Sequence, residues 1–140
     1  MHPTIQDKLI ASILIAHSLL GSLWTYSASE QLGFPPGFLA SNLALSAAGL
    51  AAGIGYWNRR RWAAMLGILF LAVQLFHIVT PTFQFSFTLG LNLNIDLGWI
   101  ESGVLGINLF ALVMLLWLSH RAIGTVSSAK PIKTVAGDST

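Results

Sequence analysis

Asn58-Arg59-Arg60-Arg61-Trp62 is the only cluster of charged side chains between Gln31 and Ile95. On either side of it lie apolar segments long enough to cross a hydrocarbon layer of about 30 Å, which takes about 20 helical residues. Three guanidinium groups cannot rest in hydrocarbon, so the run is a turn in water between two crossings. Basic residues in short loops stay on the cytoplasmic side during insertion. Arg59, Arg60 and Arg61 therefore fix the topology, and the other segments are read outward from them.

Composition points the same way. Apolar residues make up 54% of the chain and charged residues 9%, against roughly 25% charged in soluble domains. So few charges cannot cover a water-soluble surface. The partner this implies is the lipid bilayer. Nucleic acid is disfavoured, because no stretch combines basic residues with exposed aromatics. Cysteine is absent, which excludes disulfides, thiolate metal sites and thiol redox chemistry.

These features predict an all-α membrane protein: a four-transmembrane-helix up-down bundle over 1–124, with a flexible cytoplasmic tail over 125–140. The helices are expected over about 5–27, 38–57, 62–80 and 99–120. Thr4 and Asp7 have capping-box spacing at the start of the first. The pair Pro35-Pro36 closes an outer loop before the second, and Pro81 disfavours helix in Thr80 at the end of the third. With the arginine turn inside, both termini are cytoplasmic. Lys8, Arg121, Lys130 and Lys133 then also fall inside, and the outer loops hold only the acids Glu30, Asp96 and Glu101. That bias is the dominant orientation signal. It suits a prokaryotic plasma or thylakoid membrane.

The outer segment before the fourth helix alternates. From Phe83 to Trp99 the odd positions are apolar or aromatic, while the even ones run Gln84, Ser86, Thr88, Gly90, Asn92, Asn94, Asp96 and Gly98. Period two over this length predicts extended structure with one wet and one apolar face. One strand would reach about 55 Å, wider than the bundle, so the expectation is a short extramembrane β-hairpin between helices three and four, over about 83–97. Parity places its turn at Leu89-Gly90-Leu91, with Ser86 facing Asn94 and Gln84 facing Asp96. Its apolar side would lie on the helix tips or meet headgroups or a partner.

Within the spans the polar residues can be placed individually. Asn42, Ser46, Gly49 and Gly53 share one face of the second helix, and Gly49 and Gly53 form a small-xxx-small pattern suited to close helix packing. Counted from the basic anchors, Ser46, Gln74 and Asn108 lie at about 20 Å depth. Asn42 and His77 come about 5 Å further out, and His17 about 6 Å nearer the cytoplasm. With Glu101 they make a polar seam, Asn42, Ser46, Gln74, His77, Glu101 and Asn108. It reads either as interhelical hydrogen bonding or as a path or pocket for a proton, quinone or other ligand, with His77 and Glu101 its ionisable pair. His17 and His77 are also candidate single ligands for haem or chlorophyll, although their depths differ by too much for both to hold one haem.

Familiar templates fail on specific residues. Quinone-linked thiol oxidoreductases need paired cysteines, and small multidrug transporters carry an acid in their first helix where this chain has His17 and serines. No triad, phosphate loop or zinc motif is present. The expectation is a non-enzymatic accessory or assembly subunit of a larger membrane complex, bound to other membrane subunits or to itself through helix faces and the outer hairpin, with no cofactor. The alternative is a small carrier or a ligand-binding bundle using the polar seam.

Overall fold

In the computed structural model, residues 4–82, 84–87, 89–99 and 103–127 are described. Four helices are formed, α1 (Ile5–Leu32), α2 (Pro36–Trp57), α3 (Arg61–Leu75) and α4 (Leu109–Ser127), with four strands between the last two, β1 (Phe76–Val79), β2 (Gln84–Ser86), β3 (Asn94–Trp99) and β4 (Gly103–Asn108). Two helical segments, Ile5–Gln31 and Pro36–Trp57, are long and apolar enough to cross a membrane, whereas the apolar parts of the other two helices are shorter.

Local chemistry sets most helix ends. The Thr4 hydroxyl accepts from the Asp7 amide at 3.3 Å and the Asp7 carboxylate accepts from the Thr4 amide at 3.1 Å, a closed capping box. α1 outlasts its expected end by five residues, since Ser27-Ala28-Ser29-Glu30-Gln31 contains nothing that breaks a helix. It stops at Gly33, whose φ of 63° supplies the left-handed cap. Pro36 does not delay α2 but opens it, at the first helical position where proline is pre-organised. The arginine turn is tight: the Arg60 amide donates back to the Gly55 carbonyl at 2.8 Å.

α1 packs on α2, α2 on α3 and α3 on α4. α4 returns to α1 through the core of Ile10, Leu14, Phe70, Leu71, Leu89, Met114 and Leu118. At one end of the bundle Arg121 of α4 clamps α1, its Nη2 donating to Asp7 Oδ1 at 2.7 Å and to Thr4 Oγ1 at 2.8 Å. Gly49 and Gly53 of α2 lie against α1. A Cβ on Gly53 would come within 2.7 Å of Ile15 Cγ1, and one on Gly49 would overlap Ser18 Oγ and Phe70.

The segment between α3 and α4 corrects the hairpin expected over 83–97. It forms a four-stranded antiparallel sheet in the order β2-β1-β4-β3. β2 pairs with β1, setting Ser86 opposite His77, and β3 pairs with β4, setting Asn94 opposite Asn108 and Asp96 opposite Gly106. Neither Ser86 with Asn94 nor Gln84 with Asp96 is a pair. The central strands come from residues expected to be helical. The β-branched run Ile78-Val79-Thr80 favours a strand, and Gly103 and Gly106 weaken a helix by about 1 kcal/mol each. α3 therefore ends at Leu75, and α4 begins at Leu109 instead of near 99. A two-stranded hairpin in water is marginal, and the added pair β1–β4 removes that weakness. The expected turn Leu89-Gly90-Leu91 is held against α1, with the Leu91 side chain exposed but its amide bonded to His17. Leu89 is fully buried, packed where Gly21 of α1 leaves room.

Candidate functional site

His17 on α1 is 2% exposed and both its ring nitrogens are engaged. Gln74 of α3 donates its amide nitrogen to the Phe70 carbonyl at 3.2 Å, leaving Oε1 to accept from His17 Nε2 at 3.0 Å. Nδ1 then accepts from the Leu91 amide at 3.2 Å. The ring is thereby fixed as the Nε2-protonated tautomer. It is stacked on Phe110, centroids 4.9 Å apart, and edge-on to Phe70 at 5.9 Å. An iron or magnesium pigment on His17 would have to displace Gln74 or the Leu91 amide. Sequence depth set His17 and Gln74 about 6 Å apart, a gap two long side chains close.

A second cluster joins α1 to α2. The Ser46 hydroxyl donates to the Ser18 carbonyl at 2.6 Å and contacts the Ser22 hydroxyl, while Ser18 donates to the Leu14 carbonyl at 2.8 Å. Asn42, though 2% exposed, bonds among the described residues within its own helix, to the Phe38 carbonyl at 2.9 Å. Asn108 is fully buried, donating to Asn92 Oδ1 at 2.9 Å and capping α4 by accepting from the Ala111 amide at 3.3 Å.

The third group lies on the sheet. His77 Nε2 is 3.0 Å from Asp96 Oδ1, with the side chains 11% and 54% exposed. His77 is opposite Gly106, and Gly106 is opposite Asp96, so the bridge crosses a whole strand. His77 Nδ1 is buried without a hydrogen-bond partner among the described residues. Glu101, the expected partner of His77, lies outside the described residues.

The chain matches no protein-family model, no curated protein and no solved structure. What the site can do therefore rests on its own chemistry. Of the seam residues Asn42, Ser46, Gln74, His77 and Asn108, no two bond each other. Four are tied to partners that seam did not contain, Ser46 to Ser18 and Ser22, Gln74 to His17, His77 to Asp96 and Asn108 to Asn92, while Asn42 bonds to its own helix. Asn92 and Asp96 carried a signal in the alternation, which put both on the wet face. Among the described residues, no three His, Cys, Asp or Glu side chains gather to hold a metal.

At the clamped end of the bundle the Asp7 carboxylate accepts from the Thr4 amide and from Arg121.

Proposed function

We propose that the chain is an integral membrane protein crossing the bilayer with all four helices, both termini cytoplasmic, and that it serves as a non-catalytic accessory or assembly subunit of a larger membrane complex. One observation carries the reading: the interior polar side chains are paired within the chain, with one another or with backbone carbonyls. Among the described residues, only His77 Nδ1 and Arg121 Nε are buried side-chain polar atoms without a partner. A binding or reactive site needs groups left over to meet a ligand, and groups paired within the chain instead set which helix faces meet. The cationic turn Arg59-Arg60-Arg61 supports the orientation. The exposed row Leu19, Leu20, Leu23 and Trp24 on α1 supplies an apolar helix face for a neighbouring subunit.

The test is deletion in the native membrane followed by native gel analysis. The expected result is loss of one assembled complex while its remaining subunits persist unassembled, restored by the His17→Ala/His77→Ala chain if that chain folds. Unchanged complexes throughout the membrane would overturn the reading. The second reading, a small carrier or ligand-binding bundle, is favoured by the unpaired His77 Nδ1. It requires that His77→Gln abolish uptake or binding in proteoliposomes while leaving the fold intact.

A further inference from the structure

The sheet has one polar and one apolar side. The register sets Phe76, Ile107 and Ile95 in one row across three strands and Ile78, Leu105 and Leu97 in another. These rows share one face, opposite the face that carries His77, Asp96, Asn94 and Asn108. Phe76 is 46% exposed, Ile95 53% and Leu97 57%, so nothing in the described chain covers this side.

Helix length says where that face lies. From Arg61, the 15 residues of α3 climb about 22 Å, leaving about 8 Å of a 30 Å hydrocarbon layer uncrossed. From Arg121, level with Asp7 at the inner end, α4 climbs about 18 Å to Leu109 and leaves about 12 Å. Both helices thus stop at nearly one depth inside the outer leaflet, and each joins a central strand there without a linker. The four residues of β1 rise about 13 Å and complete the crossing. The surface is continuous as well. Trp62, Met65 and Leu69, all exposed, run up one flank of α3 at helical spacing, and Phe76 extends that line onto the sheet.

We propose that the apolar face of the sheet is immersed in the outer leaflet, against acyl chains at the headgroup boundary, where it replaces the outer turns of α3 and α4. Lipid is the occupant because the same exposed stripe passes from helix to strand at a depth the short helices cannot span. The backbone sets the limit of immersion. β1 and β4 are hydrogen-bonded on both sides, but β2 and β3 each present a free edge, which hydrocarbon does not tolerate and hydrated headgroups do. The sheet therefore sits at the boundary and not at the midplane. This rests on the membrane reading above.

The absence of cysteine makes the test direct. Spin labels are placed singly at Leu97→Cys, Leu105→Cys, Asn94→Cys and Leu43→Cys in the full chain, reconstituted into phosphatidylcholine–phosphatidylglycerol vesicles, and relaxed with oxygen or a water-soluble nickel chelate. Leu97 is 57% exposed and Leu105 37%, so a label at 97 disturbs little packing and the one at 105 is checked against it. Oxygen should dominate at 97 and 105 and the nickel chelate at 94, the ratio differing several-fold between the two faces. Nickel access at 97 and 105, or protection from both reagents by a second copy, overturns the proposal. The α2 label at 43 separates the failures. If it too is nickel-accessible, the membrane reading itself falls. If it is lipid-exposed while 97 is aqueous, only the immersion of the sheet does.

Discussion

His77 Nε2 reaches Asp96 Oδ1, 3.0 Å away, over the bare backbone of Gly106. A Cβ on Gly106 would overlap both the imidazole and the carboxylate. Gly106→Ala should therefore break the bridge and destabilise the sheet by about 1–3 kcal/mol, the usual cost of overpacking. Gly98→Ala, where the nearest atom is Val104 Cγ2 at 4.0 Å, is the control and should change little. Thermal unfolding of both in detergent checks the contrast, and equal midpoints would contradict it.

Gln74→Leu strands a buried donor on His17 and should cost about 1–3 kcal/mol. Removing both partners should cost less than the sum of the two single changes. A double-mutant cycle of Gln74→Leu with His17→Phe is expected to give a coupling of about 0.6–2 kcal/mol. Strict additivity would mean that the bond holds nothing.

Gly90 is constrained twice: its φ is 67°, and a Cβ there would lie 2.5 Å from the His17 carbonyl oxygen. Gly90→Ala should lift the Leu89–Leu91 segment off α1 and free the Leu91 amide from His17. Amide exchange at Leu91 should speed up markedly, with exchange at Ala52 in the bundle core unchanged. Persistent protection of Leu91 would count against this.

Arg121 Nη2 ties α4 to the start of α1 through Asp7 and Thr4. Asp7→Asn removes the ion pair and should cost about 1 kcal/mol. Chemical denaturation in detergent checks it, and an unchanged midpoint would mean that the clamp holds nothing.

What sequence could show here was local. The Thr4–Asp7 capping box and the face shared by Gly49 and Gly53 depend on residues a few positions apart. The alternation from Phe83 to Trp99 likewise disclosed extended chain with two unlike faces. It could not disclose which strand meets which. Pairing depends on partners far along the chain, and those partners, Phe76–Val79 and Gly103–Asn108, sat inside stretches whose hydropathy suited helix. The β-branched run Ile78-Val79-Thr80 leans toward strand and the glycines Gly103 and Gly106 lean away from helix, but the pairing of β1 with β4 is what selects the strands. The site was missed for the same reason. Depth counting aligned Ser46, Gln74 and Asn108, yet each bonds sideways to a residue on another element, His17, Ser18 or Asn92, that no count along one helix can select.

Leu75 is joined directly to Phe76, and Asn108 directly to Leu109. With no linker at either junction, the sheet cannot swing on its own: it is bolted to two rods. A torque applied near Arg61 on α3 or Arg121 on α4 must appear at the far end of the bundle as a tilt of the sheet.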